Sequence, residues 1–449
     1  MQQQKKAKLT RGNIWKSFIQ LSIPMIFGML SMGMFNLADT FFVGKLGTEQ
    51  LSALSFIFPV VLIVNSVALG IGIGTSVLVS IAEGGGNREE VRRLSIHSLV
   101  LGLIVTVVVA VFGELTISPL FSALGASGEV LNHIHDYMFF WYPGVIAVVI
   151  PMVINNILRA IGNSFLPGMV MFISMLINII LDPLLIFGLG PFPEMGISGA
   201  AIATVFARSI AAVTAIYALH KFINLFSSGK QIFRGICGSW KKIVHIGAPN
   251  GFIKMIHPIA IAVITRQLSP YGVDVVAGFG VGTRIEFFAL ALMAAIASIT
   301  GPFIGQNIGA HEKNRVFKGM MVSKTYALTA GGIIALLLFV FSENIAAVFN
   351  DDYIVNATTV LYISILPVSY GMQGVMRICS SVLNVIKKPF TAASIVLVHI
   401  LVFYLPLAFL GEYFLGVTGL FLALSTASVI TAVLSHTISN HFVAKKFSD

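Results

Sequence analysis

Long apolar stretches recur along the chain and are separated by short polar segments. Each stretch is long enough to supply the ~20 residues that an α-helix needs to cross the hydrocarbon core of a bilayer. Helices are required because lipid offers no hydrogen-bond partner to a free backbone group. We predict an all-α integral membrane protein with twelve transmembrane helices, at about 15–43, 51–81, 93–115, 131–158, 165–189, 196–221, 240–266, 275–305, 317–342, 354–385, 389–411 and 416–442.

The two halves of the chain repeat each other. Pro24 matches Pro249 at an offset of 225 residues (249 − 24), and the same offset carries Trp15 onto Trp240. Six helices per repeat is an even number, so both halves should cross the membrane in the same sense, related by an axis along the membrane normal. Further matched pairs are Gly47 with Gly272, Thr75 with Thr300, Gly84 with Gly309 and, at an offset of 220, Gly196 with Gly416.

The repeat predicts two pseudo-symmetric six-helix lobes with a cavity between them. The N-terminal lobe should span 1–221 and the C-terminal lobe 240–449. A cytoplasmic linker at 222–239, which contains the polar run Ser227-Ser228-Gly229-Lys230, separates them.

Composition supports the membrane assignment, because 57% of the 449 residues are hydrophobic and only 10% are charged. A soluble protein carries about 25% charged residues. The net charge of +10 does not indicate nucleic acid, since the basic residues are scattered over alternate loops, as the positive-inside rule describes. Both termini should therefore be cytoplasmic. The basic groups are Lys5 to Lys16, Arg88 to Arg93, Lys230 to Lys242, Lys313 to Lys318, Lys387 with Lys388, and Lys445 with Lys446.

Polar residues interrupt three apolar helices of the first half. Asp39 lies near the outer end of the first helix, Asn178 and Asp182 near the outer end of the fifth, and Thr204 near the start of the sixth. At 1.5 Å per residue, all fall roughly 7–12 Å below the outer face. Asn178 and Asp182 are four residues apart and therefore share a helical face. A carboxylate inside a membrane is costly, which makes Asp39 a functional candidate.

This oxygen-rich set fits a small coupling cation. Carboxylate, amide and hydroxyl oxygens suit a hard ion such as Na⁺, and two nearby carboxylates also suit a shared proton. The alternative for each residue alone is a polar group satisfied by neighbouring backbone. The matched positions in the second half are Ile264, Leu407 and Leu424, so we expect the ion site in the N-terminal lobe only.

The second half carries charges of its own. Lys254 could pair with Glu286 to tie helices 7 and 8 together, or either could contact substrate. His257 is expected to be a packing residue. Pro24 is either a static kink or a bend that responds to the state of Asp39.

Methionine and phenylalanine are abundant, and both adapt to bulky apolar cations. We expect Met34, Phe35 and Asn36 from the first half and Arg284 and Glu286 from the second to line the substrate cavity.

Several motifs resemble the multidrug and toxic compound extrusion (MATE) family, in particular its prokaryotic DinF-like branch. They are Pro24, Ala38 to Gly44, Asn178 with Asp182-Pro183, Gly199 to Thr204, Thr283 to Glu286, and Gly305 to Ala310. The resemblance covers almost the whole chain. It implies an antiporter that exchanges H⁺ or Na⁺ for amphipathic, often cationic compounds by alternating access.

The resemblance also assigns roles. Asp39, Asn178, Asp182 and Thr204 would form the cation or proton site with backbone from Ala200, and Pro24 would be the hinge. Relatives can carry a tyrosine four residues before the helix-1 aspartate, where this chain has Phe35.

Two other classes compete with this interpretation. A flippase for lipid-linked oligosaccharides would need a strongly cationic cavity, for which Lys254, Arg284 and Arg377 offer a modest version. A membrane-embedded enzyme is disfavoured, because the sequence offers no metal cluster or nucleophile–base pair. We expect a monomer that contacts membrane lipid and small organic cations, with no cofactor beyond the coupling ion.

Overall fold

The structure is a computed structural model that describes residues 7–224, 233–349 and 351–448. Within these ranges the chain is helical and contains no β-strand. Part of the predicted linker, 225–232, which includes Ser227 to Lys230, lies outside the described residues. The helices carry mostly apolar side chains around their whole circumference, as expected for helices that face lipid on one side and protein on the other.

The first half forms six long helices. Each is long and apolar enough to cross a membrane. Several extend beyond the predicted bounds, because their ends continue into polar turns that a hydropathy pattern does not detect. The helices are α1 (Ile14–Gly44), α2 (Thr48–Gly84), α3 (Arg88–Ala123), α4 (Gly128–Ala160), α5 (Phe165–Ile186) and α6 (Gly196–Ile223).

The second half is more interrupted. A short helix that the sequence pattern did not predict, α10, lies at the end of α9, and a 3-10 turn divides the predicted tenth helix into α11 and α12. The helices are α7 (Ile236–Leu268), α8 (Val273–Gly309), α9 (Lys313–Val340), α10 (Ser342–Phe349), α11 (Tyr353–Ile365), α12 (Tyr370–Val385), α13 (Pro389–Val398) and α14 (Leu405–Lys446).

The last two predicted helices form one hydrogen-bonded run with a sharp reversal. A π-helical segment, His399–Tyr404, joins α13 to α14, and α14 bends at Leu415 and Gly416. Gly416 has a φ of 59°, which a residue with a side chain adopts only at a cost. The reversal brings Gly411 against Gly419, and the two predicted helices, 389–411 and 416–442, lie on either side of it.

The internal repeat is visible in the helix bounds. Helix α2 ends at Gly84 and α8 at Gly309, which preserves the offset of 225. The turns repeat as well, because Gly196 has a φ of 55° and its partner Gly416 has 59°. The repeat is therefore a repeat of structure as well as of sequence.

The chain divides into two compact units that differ from the lobes of the sequence repeat. The N-unit holds Ile23–Gly251, and the C-unit holds the chain up to Ser22 and from Phe252 onward. Both boundaries therefore fall inside helices, within three residues of Pro24 in α1 and of Pro249 in α7. The start of α1 therefore packs with the C-unit, and the start of α7 packs with the N-unit.

The N-unit is built around α4, which packs against α2, α3 and α6. Small residues allow close helix contacts, as is common in membrane bundles. Gly70 of α2 lies against Gly247 of α7, and Gly28 of α1 lies against Gly168 of α5.

The C-unit is built around α8 and α12, which contact each other and α9. The N-terminal segment is fastened to this unit. Leu9 donates its backbone N–H to Oε1 of Gln306 at 3.0 Å, and Nη2 of Arg315 donates to the Leu9 carbonyl at 3.2 Å. The Phe18 ring packs on Phe303 with ring centroids 5.1 Å apart. These contacts explain why the start of α1 belongs to the C-unit.

Candidate functional site

Three of the predicted site residues meet inside the N-unit. Nδ2 of Asn178 donates to Oδ1 of Asp182 at 2.9 Å and contacts Oγ1 of Thr204 at 3.5 Å. Asn178 and Asp182 have no exposed surface, and Thr204 is 6% exposed. The one-turn spacing along α5 places both polar side chains on the face that α6 covers.

Asp39 joins this group from α1. Its carboxylate lies close enough to Asp182 for the two charges to act on each other, and it lies within hydrogen-bonding reach of Thr204. The structure therefore brings together the four side chains that depth counting selected. Ala200 lies one turn before Thr204 on α6. Its side chain is fully buried and belongs to the hydrophobic core of the N-unit.

Each of the acidic and amide groups retains an oxygen without a donor. Within the described ranges, Oδ1 of Asp39, Oδ1 of Asn178 and Oδ2 of Asp182 are buried and accept no hydrogen bond. A buried acceptor without a donor costs ~1–3 kcal/mol, and more when it is charged. Na⁺ prefers such oxygen ligands, and a carboxylate can instead take up a proton. The donor set therefore fits either cation.

Arg208 partly balances the charge of Asp39. Its charge acts on Asp39, and its guanidinium carbon lies 4.5 Å from the centre of the Phe35 ring. With both acids ionised, two carboxylates face one guanidinium. The cluster then lacks one positive charge, which a proton or a monovalent cation would supply.

Tyr137 of α4 is a member of this site that the sequence did not reveal. It is 4% exposed, acts electrostatically on Asp39 and Asp182, and lies within hydrogen-bonding reach of Thr204. Tyr137 supplies a phenolic hydroxyl to this site, whereas the Phe35 side chain has no hydroxyl. Tyr137 lies nine residues into α4, roughly 14 Å along the helix. Depth counting applied to α4 would have found it.

The predicted cavity residues of the first half separate into two groups. Phe35 is 4% exposed and packs with Met175 and Ala207, so it forms a wall of the acidic site. Met34 and Asn36 are exposed. Phe35 therefore lies within the N-unit, where its ring packs beneath Arg208.

The C-unit has no acidic counterpart of this site among the residues described. Ile264 and Leu424, which match Asp39 and Thr204, pack into the hydrophobic core of the C-unit. Apolar side chains therefore occupy these two matched positions in the C-unit.

A different polar cluster occupies the C-unit. The Tyr362 hydroxyl donates to Oε2 of Glu286, and Nε2 of Gln373 donates to Oε1 at 3.4 Å. The charge of Arg377 acts on Glu286. The Lys254–Glu286 pair is absent from the ion pairs of the described residues, and the charged neighbour of Lys254 is Arg377. That prediction was wrong, because two neutral donors from α11 and α12 already satisfy Glu286.

The basic side of this cluster is accessible. Lys254 and His257 of α7 are exposed, and Arg377 is half-buried, with its Nε buried and without a partner among the described residues. Lys254 and Arg377 both act on His257. Arg284 of α8 is also exposed. The C-unit therefore presents two neighbouring cations where sequence reasoning expected a lysine–glutamate pair.

Comparison with known proteins identifies a shared family. The MatE family model matches residues 24–184 and again 249–410, which together exceed half of the chain and preserve the internal offset. A Shewanella oneidensis protein named "FAD transporter" is 37% identical over 95% of this chain and 94% of its own length.

More distant relatives carry efflux names. The "Multidrug export protein MepA" of Staphylococcus haemolyticus is 25% identical over 94% of this chain and 93% of its own length. Among solved structures, the Vibrio cholerae MATE transporter VcmN in the bent form has a TM-score of 0.90 and 29% identity. That match covers 96% of this chain and 97% of the other.

Proposed function

Because the chain belongs to the MATE family of membrane efflux transporters, and is therefore not an enzyme, we propose that it is an ion-coupled exporter driven by H⁺ or Na⁺. The observation that carries this proposal is the set of three donor-free oxygens on Asp39, Asn178 and Asp182. A single cation or proton there would supply the missing charge. Uptake and release of that cation in alternation with substrate would couple the ion gradient to export.

The coupling movement would pass through α1. Helix α1 stays continuous at Pro24, yet the boundary between the units falls just before it, at Ser22. Proline removes one backbone hydrogen bond, which makes this the easiest point of the helix to bend. Binding at Asp39, four turns further along, would change the preferred bend. Pro24 is therefore the proposed hinge.

For the substrate, we infer an anionic flavin dinucleotide. The relative named for FAD is 37% identical to this chain. Relatives with multidrug names have sequence identities of 21% to 26%. The basic pair Lys254 and Arg377 supports the same substrate, because a diphosphate prefers a lysine and a guanidinium as partners. Two neighbouring positive charges suit an anion better than the organic cations expected from the wider family.

The membrane is proposed to be the bacterial inner membrane, with both termini in the cytoplasm. The positive-inside pattern supports this orientation. The family and its bacterial relatives support the location.

The first experiment tests coupling. Purified protein in liposomes would receive separate H⁺ and Na⁺ gradients, with wild type compared with Asp39→Asn. We expect one gradient to drive export by wild type and neither to drive export by the variant, because an amide cannot bind a proton and carries no charge. The melting temperature should be retained. Coupled export at the wild-type rate by Asp39→Asn would refute the ion-site assignment.

The second experiment tests the substrate. Liposomes loaded with FAD or with a cationic dye would be compared for wild type and Lys254→Gln, with Lys242→Gln as an exposed control on the same helix. We expect Lys254→Gln to lower FAD transport by ~10-fold, the order of one charge-assisted hydrogen bond. Dye-only transport by wild type would reject the flavin substrate while leaving coupling intact. Movement of a lipid-linked oligosaccharide instead would favour the flippase class.

A further inference from the structure

The C-unit contains a cavity that has no part in the proposed transport sites. It measures about 620 Å³, within the range of small-molecule and lipid sites. Helices α9, α12 and α14 form its walls, which are mostly apolar. The lining includes Met320, Met321, Lys324, Leu328, His436 and Asn440.

A buried lysine ends in this cavity. Lys324 of α9 is 6% exposed. Its Nζ donates to Oδ1 of Asn440 at 3.0 Å and lies 3.2 Å from Nδ1 of His436, both on α14. The sulfur of Cys379 is its other near neighbour. An ammonium has three N–H donors and sulfur is a weak acceptor, so one donor lacks a strong partner.

The lysine also lacks a counter-charge. No carboxylate forms an ion pair with Lys324 among the residues that the structure describes. Its neighbours are an imidazole, an amide and a thiol. A buried cation without a counter-ion is unfavourable, and an anion in the cavity would remove that cost. The charge of the site therefore selects an anionic ligand.

The walls and the position indicate the rest of the ligand. Met321 is 64% exposed and Leu328 41%, which leaves large apolar side chains at the cavity mouth on the outer surface of a membrane helix. Lys324 lies eleven residues after Lys313, roughly 16 Å along α9. The Nζ of Lys313 donates to the backbone of Phe447, so this end of α9 meets the end of α14 that carries Lys445 and Lys446. The sequence predicts that this basic end is cytoplasmic.

We propose that this cavity binds an anionic phospholipid from the cytoplasmic leaflet. The headgroup phosphate sits on the Lys324 ammonium beside His436 and Asn440. An acyl chain lies along Met320, Met321 and Leu328. Basic pockets between transmembrane helices on the cytoplasmic side are suited to anionic headgroups.

Native mass spectrometry and thermal melting of the full-length protein in detergent provide the test. Phosphatidylglycerol would be compared with phosphatidylcholine, and with glycerol 3-phosphate as a soluble anion. We expect phosphatidylglycerol alone to remain bound and to raise the melting temperature. Lys324→Met should weaken its binding ~5- to 10-fold, the order expected for one lysine at an anionic lipid.

Two variants keep the result decisive. Lys324→Arg retains the positive charge and should bind phosphatidylglycerol as wild type does, in contrast to Lys324→Met. Lys318→Met removes an exposed lysine of the same helix and should leave binding within two-fold, roughly the scatter of a surface change. If Lys324→Met is too unstable to purify, Ala444→Trp narrows the cavity with the lysine intact and should weaken binding. Equal binding of both phospholipids, retention of binding in Lys324→Met, or full protection by glycerol 3-phosphate would each overturn the proposal.

Discussion

At the scale of single residues, the molecule separates two kinds of charge. The N-unit buries two carboxylates against one arginine, and the C-unit presents Lys254 and Arg377 beside a satisfied Glu286. A site short of one positive charge fits a small cation, whereas two neighbouring positive charges fit an anion. In the proposed function, coupling and substrate recognition therefore belong to different side chains.

Tyr137 provides a residue-scale prediction. Replacing it with phenylalanine removes a hydroxyl beside Asp39, Asp182 and Thr204 and keeps the ring. We expect the apparent affinity for the coupling ion to fall ~5-fold, the order of one hydrogen bond of about 1 kcal/mol. Export measured against the concentration of the coupling ion checks this. Tyr142→Phe is the control, since that buried tyrosine of α4 packs on Gly113 of α3. Equal losses in both variants would indicate a general packing effect.

At the scale of helices, close contact at small residues determines the packing. Gly331 of α9 lies against the backbone of Gly371, where α12 begins, and an added Cβ would collide with it. The next residue, Gly332, has open space around its Cβ position. Two adjacent glycines in one helix therefore have opposite structural roles.

This pair gives a matched prediction. Gly331→Ala should lower the melting temperature, because overpacking a tight helix contact costs ~1–3 kcal/mol. Gly332→Ala should be neutral or raise it, since alanine favours a helix by about 1 kcal/mol over glycine. Thermal melting in one detergent compares the two. The packing account fails if both variants melt alike.

At the scale of the whole molecule, neither half of the sequence contains a complete packing unit. The start of α7 belongs to the N-unit, where Ser239 lies 2.8 Å from the His97 ring and Trp240 donates to the His97 carbonyl at 2.8 Å. The N-terminal segment is fastened to the C-unit by Gln306 and Arg315. Each repeat thus contributes a helix start to the unit formed mainly by the other.

Truncation tests this exchange. A fragment covering 1–224 lacks the start of α7, so Gly70 loses its contact with Gly247 and His97 loses its contact with Trp240. A fragment covering 1–251 retains them. We expect the longer fragment to accumulate in the membrane and resist protease, and the shorter one to be degraded. Equal protease resistance of the two fragments would contradict the division into these units.

Sequence patterns determined the helical class, the repeat and four members of the acidic site. Hydropathy and chain geometry fix which residues must cross a bilayer and how deep Asp39, Asn178, Asp182 and Thr204 lie, because lipid permits only helices of a defined rise. Tertiary structure decided what those side chains meet. It placed Tyr137 and Arg208 at the acids, directed Glu286 to Tyr362 instead of Lys254, and left Lys324 beside a cavity. Depth along a helix is a local property of the chain, whereas the direction in which a side chain faces depends on how all the helices pack.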